Sequence, residues 1–393
     1  MTKTETMLKW PHYDDDQIAD VVSVLKSGQV NAWTGAHVAN FESAYARFLG
    51  RRHAVGLANG TLALDLALRI IGVGPGDEVI VTPRSFIASA SCVPLTGATP
   101  VFADVDPDSQ NISAETIRPH ITPRTRAIIA VHLAGWPCDM DTIMELARGH
   151  NIYVIEDCAQ AHGAEYRGRP VGSFGHMAAF SFCQDKIITT GGEGGLLAMD
   201  DAELWQAAWS FKDHGKSYNA VFNVQHPPGF RWLHESFGTN WRMTSIQAVI
   251  GLRQLERLAQ YNRTRATNAG VLLNEFRSIE ALRTPIPNSE IRHAYYRLYA
   301  FVRPERLKPD WNRDRIVSEV TAAGVPCFSG SCSEIYLEKA FSSRGLAPLQ
   351  RLPQAAALGE TSLAFLVDPC QDESRMMKVA ATVREVVARA TLQ

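Results

Sequence analysis

From about residue 53 to Met199 the chain alternates short apolar runs with stretches whose apolar residues recur at helical spacing. Few folds accommodate that pattern. His53-Ala54-Val55-Gly56-Leu57, Glu78-Val79-Ile80-Val81, Pro100-Val101-Phe102-Ala103, Ala127-Ile128-Ile129-Ala130-Val131 and Ile152-Tyr153-Val154-Ile155 read as strands. Thr61 to Ile71, Ser85 to Leu95 and Met140 to His150 read as helices. Strands separated by helices pair in parallel, and a mostly parallel sheet is covered on both faces. Ligands bind such sheets beyond the carboxyl ends of the strands. Residues just after each strand are therefore the first candidates for a site.

The pattern changes after Met199. Residues 202–215 look helical, and 216–240, rich in Gly, Pro, Asn and aromatics, read as a long ordered loop. A long helix is predicted from Thr244 to Ser278, apolar at first and then carrying Arg253, Arg257, Arg263 and Arg265. Beyond it come a strand at Ala294 to Val302, a helix at 312–323 and an amphipathic helix at Glu373 to Ala390. The 393 residues suit two domains. The expected division is a large domain over 1–255, including the N-terminal segment, and a smaller α+β domain over 256–393.

A net charge of -2 gives no electrostatic reason to expect nucleic acid or an anionic membrane as partner. The longest basic cluster, Arg51-Arg52-His53, is too short to change that. The N-terminus lacks a basic start followed by an apolar stretch, and no apolar run approaches the roughly 18 residues of a membrane span. The chain reads as a cytoplasmic protein. Its seven cysteines form no C-x-x-C pair and read as reduced structural thiols rather than disulfides or metal ligands.

Four segments carry candidate chemistry. Asp157 follows the strand ending at Ile155, and Gln160 and His162-Gly163-Ala164 come next. An apolar strand ends at Ser181, and Lys186 lies just beyond, ahead of Gly191-Gly192-Glu193-Gly194-Gly195. Asn59-Gly60-Thr61 is a strand-to-helix turn, where backbone N–H groups and the helix dipole can hold a phosphate. Phe86 follows a strand end and can stack on a planar ring. Each segment alone also suits an ordinary role: a helix cap, a surface lysine, a turn, a core aromatic. Pyridoxal phosphate (PLP) chemistry needs them together. It takes a lysine amine for a Schiff base, a carboxylate facing the pyridine nitrogen, and small residues where the backbone comes close.

The ordered set resembles the DegT/DnrJ/EryC1/StrS family of PLP-dependent sugar aminotransferases. The matching stretches are Asn59-Gly60-Thr61, Gly76 to Ile80, Phe86-Ile87-Ala88-Ser89, Gly97 to Phe102, Glu156-Asp157 with Gln160 and His162 to Ala164, Ser181 to Lys186, Gly192 to Gly195, His214-Gly215 and Asn240-Trp241-Arg242-Met243. The resemblance implies the PLP-transferase fold (fold type I): an α/β large domain with a mostly parallel seven-stranded sheet and a smaller α+β C-terminal domain. It implies that Lys186 carries the cofactor and moves protons, and that Asp157 pairs with the pyridine nitrogen. Gln160 would reach the ring hydroxyl, and Phe86 and Ala159 would cover the two ring faces. Gly60, Thr61 and Ser181 would hold the phosphate. Asn240 would reach the phosphate of a neighbouring subunit, implying a homodimer with shared active sites. His214, Arg231, Arg242 and Tyr296 are candidates for contacts to substrate.

One branch of the family has His in place of the lysine and dehydrates sugars. Lys186 favours transamination. Departures from the family pattern fall at Ser245 and at Phe328 to Tyr336, which borders the substrate in the family. The leading expectation is transfer of an amino group from glutamate, or glutamine, to a nucleotide-linked 4-keto-6-deoxyhexose. The alternatives are a cyclitol ketone or 3-keto sugar, and a non-catalytic PLP- or sugar-binding regulator.

Overall fold

A computed structural model describes residues 9–226 and 232–392. Seven strands form the central sheet: β1 (His53–Leu57), β2 (Glu78–Val81), β3 (Thr99–Phe102), β4 (Thr125–Val131), β5 (Tyr153–Asp157), β6 (Met177–Ser181) and β7 (Gly195–Met199). Their spatial order is β1-β7-β6-β5-β4-β2-β3. β7 runs antiparallel to both neighbours, and the other pairings are parallel. β4 explains its own composition: Ala127 to Val131 are all buried, so no polar face is required.

Helices cover both faces. α1 (Asp15–Ser27) and α2 (His37–Leu49) precede the sheet, and α3 (Gly60–Ile70) and α4 (Ala88–Leu95) follow β1 and β2. Leu64, Leu66, Leu68, Ala90 and Val93 from α3 and α4 pack with Val55, Val79 and Ile129 in one core layer. On the other face, Phe41 and Tyr45 of α2 meet Phe180, Leu196 and Ala248. α5 (Met140–His150) adds Ile143 and Ala147 beside Ile128 and Val154.

The predicted helix at 202–215 ends sooner, as α6 (Ala202–Phe211), because the chain turns through His214 and Gly215 at positive φ. The predicted loop at 216–240 holds a short helix, Tyr218–Phe222, begun by Ser217 accepting from the Ala220 N–H. The long helix, α7 (Ser245–Phe276), starts at a reciprocal cap between Thr244 and Gln247. From Ala269 its residues join a separate apolar core with Leu298, Ile316, Leu363 and Val383. The strand expected from Ala294 begins later, at Leu298, within a four-stranded antiparallel sheet. Among the described residues no helix is long and apolar enough to cross a membrane.

Candidate active site

The ends of β1, β2, β5 and β6 open on one cavity of about 570 Å³. Gly60 and Thr61 stand on its wall after β1, Phe86 and Ser89 after β2, Asp157, Ala159 and Gln160 at the end of β5, and Ser181 and Lys186 at and beyond the end of β6. Four segments far apart in sequence are thus brought together.

Asn59 caps α3 by accepting from the Leu62 N–H at 3.0 Å. The first-turn amides of Gly60 and Thr61 have no acceptor within the helix and sit at its positive end. Gly60 is required by close approach: a Cβ there would lie 2.5 Å from Ser181 Cβ and 2.9 Å from Ser181 Cα. The resulting cup, with Ser181 as its hydroxyl, suits a phosphate.

His162 fixes the far side of the cup. It is fully buried, and burial pushes its pKa down to about 3, so the ring is neutral. Nε2–H donates to the Ser181 carbonyl at 2.9 Å, and Nδ1 accepts from the Tyr45 hydroxyl at 2.6 Å. Gln160 is anchored similarly, its Oε1 accepting from the Ala134 N–H at 2.8 Å. Its amide donors remain for a ligand.

Asp157 is 5 % exposed. Its Oδ2 accepts from Ser89 Oγ at 2.7 Å and its Oδ1 from the Ala159 N–H at 3.1 Å. Among the described residues it has no ion-pair partner. A buried carboxylate held only by neutral donors calls for a cation, and a protonated pyridine nitrogen is one. The adjacent Glu156 differs. It accepts from the N–H groups of Gly172, Phe174 and Gly175 at 2.7, 2.8 and 2.7 Å and pairs with His132 at 3.1 Å, so it is a framework group. His132, Glu156 and Cys158 lie close enough for a metal ion. However, those amides occupy the carboxylate, and burial pushes the Cys158 thiol well up, keeping it protonated.

The Lys186 side chain is largely buried, with Nζ 3.7 Å from Asp185 Oδ1 and 5.1 Å from the centre of the Tyr296 ring. The Tyr296 hydroxyl donates to Asp185 Oδ2. Burial alone would raise the Asp185 pKa, but Lys186, Tyr296 and Arg297 outweigh it and hold the carboxyl below its ordinary value. Lys186, Phe86 and Gln160 also line an adjoining cavity of about 540 Å³, closed by Tyr296, Arg297, Phe328, Ser331, Cys332 and Glu338. Tyr296 is therefore brought to the site. His214, Asn240 and Arg242 are not, since none lines either cavity of this chain. His214 and Asn240 are exposed, and Arg242 is committed to Asp213 at 2.7 Å. Arg231 lies outside the described residues.

Sequence reasoning gave no role to Ser89, although it sits one turn after Phe86. It passed over Asp185, the neighbour of Lys186. Arg297 and Glu338 leave no local signal, because only the folded chain carries them to the site.

A family model for the DegT/DnrJ/EryC1/StrS aminotransferase family matches residues 11–384. The crystal structure of an aminotransferase from Psychrobacter cryohalolentis is 52% identical and superposes with a TM-score of 0.96, covering 98% of this chain and 99% of that one. A GDP-perosamine synthase of Caulobacter vibrioides is 39% identical over 317 residues, 80% of this chain and 81% of the relative. A dTDP-3-amino-3,4,6-trideoxy-alpha-D-glucose transaminase of Streptomyces venezuelae is 33% identical over 371 residues, 94% of this chain and 92% of the relative. With its α/β sheet of fold type I, the chain belongs to the DegT/DnrJ/EryC1/StrS aminotransferase family and is a PLP-dependent transaminase.

Proposed function

We propose that the chain transfers an amino group from glutamate to a nucleotide-linked keto-sugar, with a 4-keto-6-deoxyhexose as the leading acceptor. The observation that carries this reading is one cavity faced by both Lys186 and the cation-less carboxylate of Asp157. The relatives' names support a sugar acceptor. A 3-keto sugar is the second reading, favoured by the Streptomyces relative, whose name places nitrogen at position 3.

PLP, when bound, supplies an electron sink that lets nitrogen pass from donor to acceptor. In this reading Lys186 Nζ would attach the cofactor. Once the donor's amino group has displaced it, the freed amine would take the donor's α-proton and, in the second half of the cycle, would deliver a proton to the sugar carbon that receives nitrogen. Asp157 would hold the pyridine nitrogen protonated through its charge, with Ser89 orienting that carboxylate. Gln160 would donate to the ring hydroxyl, Phe86 and Ala159 would cover the ring faces, and Gly60, Thr61 and Ser181 would hold the phosphate. The same reading puts Asn240 at the cavity of a second copy, making the enzyme a homodimer. Its support is that Asn240 is exposed and off this chain's own cavities. The proposed division into a large domain over 1–255 and a small one over 256–393 then falls within α7, which joins them.

The test is a panel of nucleotide-linked keto-sugars incubated with glutamate and followed by mass, with Lys186→Ala as control. Wild type is expected to aminate at least one sugar. Lys186→Ala should lose turnover and the visible band of the lysine-bound cofactor while remaining folded. Full turnover by Lys186→Ala would sink the assignment of the lysine, and failure with every keto-sugar would sink the acceptor class.

A further inference from the structure

The backbone of Lys186 is tied to a residue 176 positions away: Trp10 Nε1–H donates to the Lys186 carbonyl at 2.9 Å. We propose that Trp10 is a positioning residue for the transamination, holding the Lys186 backbone so that the amine stays aimed into the cavity. The proposal rests on the reading of Lys186 given above.

Two sets of contacts make the tie firm. The indole packs edge-on against Tyr261, with ring centres 5.2 Å apart, and the guanidinium of the fully buried Arg265 lies 5.3 Å from the Trp10 ring centre. Both residues belong to α7, so the indole is seated on a rigid helix. The chain after Trp10 is then strapped along the same helix. Arg257 Nη2 pairs with Asp14 at 3.1 Å and Asp16 at 2.8 Å, and Arg253 pairs with Asp20 at 2.7 Å.

Ile187 to Thr190 are buried, and Thr189 and Thr190 bond back to Phe182, but Lys186 itself stands at the less restrained end of the loop. Locally, Lys186 has one backbone bond, its N–H donating to Cys183 at 3.1 Å, and the chain beyond turns through Gly191 and Gly192 at φ 86 and 116. Those conformations suit glycine, which adds freedom rather than restraint. The Tyr296–Asp185 bond restrains the side-chain face of the loop, and Trp10 restrains its backbone. Precision matters here because proton transfer by a base depends steeply on its placement.

The experiment uses the full-length holoenzyme and compares wild type with Trp10→Phe, which keeps one aromatic ring against Tyr261 and Arg265 and removes the donor together with the second ring of the indole. Trp10→Phe should lower kcat about three- to tenfold, the worth of one hydrogen bond. The KM values of both substrates should hold, and the pH midpoint of the visible cofactor band should shift. Arg257→Gln, which loosens the strap away from the site, should give a smaller change of the same kind. Wild-type kcat and pH midpoint in Trp10→Phe would overturn the proposal. So would a loss of Tm with an unmoved midpoint, which marks a merely structural contact. Lys186→Ala separates the two readings. If it keeps turnover, the reading of the lysine fails. If it is inactive while Trp10→Phe behaves as wild type, only the role of Trp10 fails.

Discussion

Asp157→Asn should separate what the carboxylate does for the fold from what it does for the chemistry. In the protein alone, this 5 %-exposed group is held by one hydroxyl and one amide, neither carrying positive charge. Burying a carboxylate without a counter-charge costs several kcal/mol. Asparagine keeps the shape: its carbonyl can accept from the Ala159 N–H, and its amide can donate to Ser89 Oγ, which accepts as well as donates. Cofactor-free Asp157→Asn should therefore be at least as stable as cofactor-free wild type. With PLP the order reverses, because the variant loses a buried charge pair worth about 3–5 kcal/mol. At about 1.4 kcal/mol per factor of ten, that is roughly two to three and a half orders of magnitude, divided between cofactor affinity and turnover. The assay is thermal unfolding of both proteins with and without PLP, together with initial rates at saturating cofactor. Equal destabilisation in the two states would show that Asp157 serves packing alone. Wild-type turnover would place the pyridine partner elsewhere.

Two further outcomes follow from the geometry around it. Gly60→Ala places a methyl group 2.5 Å from Ser181 Cβ, where backbone must yield. We expect about 1–3 kcal/mol of destabilisation and faster cofactor loss on dialysis, and a variant with wild-type Tm and retention would refute the close-packed cup. His162, whose pKa burial lowers to about 3, stays neutral in the folded chain while the unfolded chain takes up a proton below about pH 6.5. The unfolded state then binds more protons, so stability falls on acidification, by up to about 1.4 kcal/mol per pH unit between those values. His162→Gln should flatten the dependence of Tm on pH over that range, and an unchanged slope would show that other groups set it.

The parts of this molecule legible in sequence share a physical reason. A parallel sheet lines up the carboxyl ends of its strands, so residues directly after a strand are placed by topology, whatever the rest of the chain does. Gly60, Phe86, Asp157, Ser181 and Lys186 all lie at a strand's carboxyl end or in the turn just beyond it. β7 escaped because no helix separates it from β6. It follows the glycine cluster directly and pairs antiparallel, so the alternation that marked the other strands is absent. α1 and α2 escaped because they precede the first alternating unit. Their place becomes evident only when Phe41 and Tyr45 are seen against Phe180 and Phe182.

The second group of site residues is fixed by docking rather than by strand order. Tyr296 reaches Asp185 across 111 positions, and Arg297, Phe328, Ser331, Cys332 and Glu338 arrive from separate turns of the C-terminal part. No spacing rule links them, because what joins them is the packing of Tyr299, Phe301 and Ala364 into the core layer of Ile128 and Val154. This division has a functional consequence. The groups proposed to bear PLP chemistry lie at the ends of the sheet's strands, where topology makes them readable. The groups that complete the adjoining cavity around Lys186, Phe328 to Glu338 among them, lie on the docked part. Exchanging residues of that segment should therefore change which acceptor is used and leave the cofactor half of the site intact, since none of Phe328, Ser331, Cys332 or Glu338 lines the cavity that holds Asp157 and Gly60.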